Sequence, residues 1–437
     1  MMDPMTQKTI LANGVRILTH KVPHVRSVAM GIWVDVGTRD ESEEEAGYSH
    51  FLEHMMFKGT RRRSAYELAK AFDAIGGQSN AFTTMETTCY HARVMDTHLP
   101  VMVDILSDMF LNSCLDSEEI ENERPVILQE IGMLEDCPED FAHHLLEKYA
   151  WGEHPLGRSI LGTPKNIQSV RSEDLQVFFR KYYCPSRVII SLAGNLEHGS
   201  VVDLLAPAFE MLAPGSGRSE RRTPRIQKGV RVTARPIEQV HLCLGAPGLP
   251  ITHEDRFSAS LLTTILGGNM SSRLFQEIRE KRGLAYSVYA FSSGHMDTGM
   301  LGIYAGVAPG TVETSATLIH RELKKICDEP VSTEELEGAR AYTKGNILLS
   351  MENTENLMVK QAQNEIHFGR YIPVEETLAK VDGVTREDIL NLSRLSFGEN
   401  HLFVSVLGPS DNAAALSEKF GIVENKDSNG EKKVCLS

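Results

Sequence analysis

The chain has no CxxC pair, and its seven cysteines (Cys89, Cys114, Cys137, Cys184, Cys243, Cys327 and Cys435) stand singly and in odd number. That pattern excludes a disulfide framework and a cysteine-built zinc knuckle, and it predicts reduced thiols. No window approaches 18 apolar residues, so no membrane span is expected. The opening MMDPMTQKTILANGVRILTH lacks the basic region and long apolar run of a secretion signal and is poor in arginine. No signal peptide is therefore expected, and the expected address is cytoplasmic. Basic residues are also in deficit: 45 Lys and Arg against 59 Asp and Glu give a formal charge of -14. Such a balance argues against general binding to nucleic acid or to an anionic membrane, and favours basic partners if the acids line a cavity.

What is present suits an ordinary globular protein: 437 residues, 41% hydrophobic and 24% charged, are enough for two or more domains. A repeat organises them. VRSEDLQVFFRKYYCPSRVIISLAGNL from Val170 and VTREDILNLSRLSFGENHLFVSVLGPS from Val384 both read as helix, connection, apolar strand and glycine, with Gly194 and Gly408 in matching places. LDSEEIENERPVILQEI from Leu115 and VSTEELEGARAYTKGNI from Val331 form a second pair, each opening with Ser ahead of a Glu-rich first turn. Strand-like runs (VAMGIWVDVG, QVHLCLGAPG) alternate with helical periods such as HLPVMVDILSDMFLN. The expected class is α+β, two homologous α/β-sandwich domains from an internal duplication. The expected limits are 1–213 and 230–425, joined by a Gly-, Pro-, Ser- and charge-rich linker over 214–229 and followed by a flexible tail over 426–437.

In HFLEHMMFKGT, His50 and His54 are one helical turn apart, with Glu53 on the same face. H-x-x-E-H is the inverted zinc-peptidase motif, and catalytic zinc is held by two imidazoles and a carboxylate with a fourth position left open. The plain alternative is a solvated helix face. Against it, Phe51, Leu52, Met55 and Met56 set the polar triplet at the edge of a core. A third ligand is then required from a second helix. EEIENERPVILQEIGMLED offers Glu123 and Glu130, seven residues apart on one face. The apolar Val126, Ile127, Leu128 and Ile131 predict burial around Glu130, and a buried carboxylate needs a partner or a metal.

These residues resemble the pitrilysin-type (M16, insulinase-like) metallopeptidases, in particular the mitochondrial-processing-peptidase subfamily and its bacterial relatives. Their signature is H-x-x-E-H followed about seventy-five residues later by Glu, and Glu130 stands at that distance from His54. The two-half layout and GRSILGTPKNI from Gly157 are also similar, so the resemblance covers essentially the whole chain. It implies that His50, His54 and Glu130 bind one Zn2+ per chain, that Glu53 is the general base, and that Glu123 is a supporting acid. GGQSNAFTTMETTCY resembles the family's substrate-edge strand, where backbone at Asn80 and Ala81 would pair with an extended peptide; the alternative is a plain edge strand. SSRLFQEIREKRGLAYSVYAF resembles its Arg/Tyr segment, in which Arg279 and Tyr286 would donate to substrate carbonyls and the developing oxyanion. The rival there is a basic helix end, with Arg279, Lys281 and Arg282 complementing the dipole before Gly283.

The second half has no H-x-x-E-H, and the repeat sets Ala339 and Asn346 opposite Glu123 and Glu130, so it is expected to bind substrate without zinc. The resemblance implies a bacterial zinc endopeptidase acting on short or unfolded, basic, leader-like peptides in a closed chamber. It implies a homodimer, or a heterodimer with a related chain, in which Arg279 and Tyr286 act on the partner's zinc site. The alternatives are a non-catalytic subunit of a larger complex and a structural metal protein. Retention of Glu53 speaks against the latter, which needs ligands but no base.

Overall fold

The computed structural model describes residues 5–215, 221–398, 401–409 and 413–420. They form two compact units. The first comprises Met1–Cys137, Glu153–Thr223 and Tyr342–Asp382, and the second Pro138–Gly152, Pro224–Ala341 and Gly383–Ser437.

The first unit is built on β1 (Thr6–Ile10), β2 (Arg16–Lys21), β3 (Ser27–Val34), β4 (Gln78–Thr83), β5 (Thr88–Met95) and β6 (Val188–Gly194), in the order β1-β2-β6-β3-β5-β4. Only β2 and β6 run parallel. Helices of the first half of the sequence are α1 (Tyr48–Met55), α2 (Ala65–Ala74), α3 (Leu99–Asn112), α4 (Ser117–Asp136), α5 (Pro138–Trp151), α6 (Pro164–Ser169), α7 (Ser172–Tyr182) and α8 (His198–Phe209). The second sheet takes β7 (Gly229–Ala234), β8 (Val240–Gly248), β9 (Ala285–Gly294), β10 (Gly299–Val307) and β11 (Phe403–Gly408) in the order β7-β11-β8-β10-β9. This repeats the first sheet without β1, down to the one parallel pair, β7 with β11. The glycines that marked the repeat end β6 and β11 at φ +142 and +146, and a Cβ on either would meet backbone oxygen, 2.2 Å from Ser27 and 2.8 Å from Gln239. Only glycine fits both.

The remaining α-helices are α9 (Arg256–Thr263), α10 (Val312–Asp328), α11 (Thr333–Ser350), α12 (Thr354–Phe368), α13 (Val374–Gly383), α14 (Arg386–Phe397) and α15 (Ala413–Lys419). Two helices have changed sides. α12 packs on β2, β3 and β6 of the first sheet, whereas α5 packs on β8 and β11 of the second. The pleat of β3 shows why both faces need cover: Val28, Met30, Ile32 and Val34 join the core with Phe51, Met102 and Phe178, while Ala29 and Trp33 join Met358 and Ala362 of α12. α12 lies so close that a Cβ on Gly31 would sit 2.6 Å from Met358 Sδ. The compact units are thus not the contiguous blocks 1–213 and 230–425 expected from sequence. An amphipathic period requires a sheet to pack on but does not say which one.

Of the expected linker, 216–220 lies outside the described residues, as does the tail expected over 426–437. Arg221 is no free tether. It is buried against Asp40 (2.7 Å) and Glu86 (3.1 Å), and Arg39 also binds Glu86 at 2.7 Å. This network clamps the turn between β4 and β5.

Candidate metal centre

α1 buries Phe51, Leu52 and Met55 in the first core, which turns His50, Glu53 and His54 toward α4 and β4. α4 is started by Asp116, whose side chain accepts from the amides of Glu118 and Glu119, and it delivers Glu123 and Glu130 to the same place. Nε2 of His50 and Nε2 of His54 each lie 3.5 Å from Glu130 Oε2. Ligand atoms about 2.1 Å from a tetrahedral ion are about 3.4 Å apart, so these separations match the edge of a zinc tetrahedron. Among the described residues, His50, His54 and Glu130 are the one group of three metal-type ligands found, their donor atoms all within 4.8 Å of one another.

The surroundings suit a cation. His54 Nδ1 lies 2.8 Å from Glu123 Oε1, which places the imidazole proton on Nδ1 and leaves the Nε2 lone pair facing Glu130. Burial acts to raise the Glu123 pKa, but hydrogen bonds from Lys58 and His54 outweigh it and hold the carboxyl below its usual range. Burial, reinforced by His54, pushes His50 down to about 4, so the ring is neutral as ligation requires. Its buried Nδ1 has no hydrogen-bond partner among the described residues. Glu53 points beside the set without joining it. Thr83 Oγ1, at the end of β4, donates to Glu53 Oε2 at 2.5 Å, and burial raises the Glu53 pKa against that bond.

Other sequence-predicted residues fall as follows. Glu130 is not buried by its apolar neighbours: its side chain is 36% exposed and Val126 is exposed too, whereas the buried acid is Glu123. The seven-residue spacing puts both on one face but does not say where the cover over that face ends. Asn80 and Ala81 lie on β4, an edge strand that among the described residues pairs with β5 alone, through His91 and Tyr90. Arg279 and Tyr286 belong to the second unit. Tyr286, 79% exposed at the start of edge strand β9, carries the Arg279 guanidinium over its ring at 4.7 Å. Lys281 and Arg282 instead bind Glu277, at 2.5 and 2.7 Å. Ala339 is buried in α11 and Asn346 is exposed, and among the described residues the second half shows no counterpart to the metal set. Sequence reasoning missed Thr83 and Lys58. Lys58 is one turn beyond His54, a spacing that could have pointed to it, whereas Thr83 is reached only through the fold.

A sheet flanked by helices and repeated in two halves, with an inverted H-x-x-E-H helix in the first half only, defines a class. Residues 16–164 match the family model Insulinase (Peptidase family M16), and residues 169–342 match Peptidase M16 inactive domain. The chain belongs to peptidase family M16. It is 41% identical over 411 residues to an uncharacterised zinc protease of Streptomyces coelicolor, spanning 92% of this chain and 89% of that one. It is 40% identical over 408 residues to the uncharacterised zinc protease YmxG of Bacillus subtilis, spanning 93% and 99%. The fold is shared with a protease from Helicobacter pylori at a TM-score of 0.86 and 21% identity, over 93% of this chain and 100% of that one. No helix among the described residues is long and apolar enough to cross a membrane.

Proposed function

We propose that the protein is a zinc-dependent endopeptidase, and the observation that carries this is the convergence of both His Nε2 atoms on Glu130 Oε2 at 3.5 Å with Glu53 alongside. His50, His54 and Glu130 would hold one Zn2+ per chain, which would supply Lewis-acid chemistry there. Glu53 takes the proton of the attacking water and returns it to the leaving amine, a task that suits a carboxylate whose pKa burial has raised. Thr83 occupies one Glu53 oxygen and leaves the other for that exchange. Glu123 fixes the His54 tautomer.

Substrate enters as an extended strand on the free edge of β4 at Asn80 and Ala81, which restricts substrates to short or unfolded peptides. The excess of acid, a formal charge of -14, favours basic, leader-like sequences. The working assembly is a cytoplasmic homodimer forming a closed chamber, with Arg279 and Tyr286 of one copy donating to the substrate at the zinc set of the other.

Metal analysis with a peptide-library assay tests the reading. Zinc-loaded protein cleaves, chelation abolishes cleavage, and added zinc restores it. Cleavage indifferent to chelation, or none by zinc-loaded protein, contradicts it.

A further inference from the structure

The first turn of a helix leaves its amides without intrahelical partners, and a Ser, Thr, Asp or Asn at the N-cap normally supplies one. α1 has none: its N-cap is Gly47, at φ +97, with no side chain to offer. Glu41 fills the gap from six residues upstream. Its buried carboxyl group accepts the Gly47 amide on Oε2 at 2.8 Å and the Ser49 amide on Oε1 at 2.6 Å.

The next residue is His50, only the third of an eight-residue helix. Fraying of that turn would move a metal ligand directly, and metal–ligand distances tolerate only about 0.2 Å. Glu41 is itself held in place. Arg158 Nη1 donates to its carbonyl at 2.8 Å, and Asn166 Nδ2 to that of Glu43 at 2.7 Å. A Cβ on Gly162 would lie 2.5 Å from Ala46 O, and one on Gly47 would lie 2.9 Å from Gly162 Cα. The GRSILGTPKNI segment is therefore the buttress beneath the loop that starts α1.

We propose that Glu41, braced by Arg158 and the Gly47–Gly162 crossing, is a positioning residue that sets metal affinity by fixing His50. The inference rests on the proposed metal set, and its test reads metal binding instead of cleavage. Metal-free wild type, Glu41→Ala, Glu41→Gln and Gly162→Ala are titrated with Zn2+ against a chromophoric chelator and with Co2+ by visible absorption, their fold checked by circular dichroism.

Glu41→Ala weakens Zn2+ about tenfold or more and alters the Co2+ bands, as loss of support behind a ligand does. Glu41→Gln keeps an acceptor oxygen for only one of the two amides and falls between wild type and Glu41→Ala. Gly162→Ala weakens Zn2+ with Glu41 intact, and it carries the test if Glu41→Ala does not fold. Wild-type Kd and Co2+ spectrum in folded Glu41→Ala or Gly162→Ala overturns the proposal. Wild type that binds no zinc removes the metal set and this inference together. Wild type that binds zinc yet cleaves nothing removes the peptidase reading alone, and the same Kd values still decide the role of Glu41.

Discussion

Met358 is the point at which the exchanged helix α12 holds the first sheet. The residue is fully buried, Trp33 Nε1 donates to its sulfur at 3.4 Å, and Gly31 leaves room for it. Met358→Ala removes the buried thioether, a change that costs about 2–5 kcal/mol in a core that cannot collapse. It also orphans the Trp33 N–H, worth about 1 kcal/mol or more. The bond from Ser191 Oγ to the Met358 carbonyl, 2.8 Å, survives because it is backbone. A loss of about 4 kcal/mol from the first unit follows.

The chain has two tryptophans, and Trp151 lies on α5 in the second unit, so in a Trp151→Phe background Trp33 fluorescence reads the first unit alone. With a urea slope of about 2–3 kcal/mol/M, the midpoint falls by more than about 1 M. A fragment ending at residue 213, which lacks α12, should show no cooperative Trp33 transition. A Trp33 midpoint unchanged by Met358→Ala, or a cooperatively folded fragment, would refute the exchange of helices.

Three further outcomes are expected. Arg221→Ala leaves Asp40 and Glu86 buried beside a lost partner and lowers stability by about 3–5 kcal/mol, while Arg370→Ala, at an exposed pair with Glu376, stays within about 1 kcal/mol; thermal unfolding compares the two. Burial pushes Glu41 up to about 8 from 4.5, so between those values the folded chain keeps a proton that the unfolded chain releases. Its stabilising contribution is whole below 4.5 and is lost as pH rises to about 8, so wild type should lose up to about 1.4 kcal/mol per pH unit relative to Glu41→Gln in urea titrations across that window. Glu53→Gln and Tyr286→Phe, each nearly inactive, should recover toward roughly a quarter of wild-type activity after subunit exchange, since half the dimers are mixed and each has one intact site. No recovery after verified exchange would refute action on the partner's site.

The duplication was legible because it is written in local signals, a Glu-rich helix start and a strand ending in glycine, and Gly194 and Gly408 do the same job in both sheets. The histidine pair was legible because helix period alone aligns it. What local pattern does not carry is the choice among equivalent partners. α5 and α12 have apolar faces that either sheet would accept. Glu123 and Glu130 share a face, yet Glu123 is buried and Glu130 is partly open. Glu41 lies in an acidic run, ESEEEAG, that reads as solvated, and only the crossing of Gly47 with Gly162 shows why one of those acids is inside. Arg221 stands in a stretch whose composition says tether, but three acids and Arg39 gather around it.

The most direct measurement of the central claim is the zinc content and peptide-cleavage rate of Glu53→Gln beside wild type. One Zn2+ per chain is expected in both proteins, with cleavage lost by a factor of about 10²–10⁴ in the variant, because the amide keeps the shape of the base but cannot accept the proton. Cleavage at the wild-type rate, or loss of zinc from the variant, would contradict it.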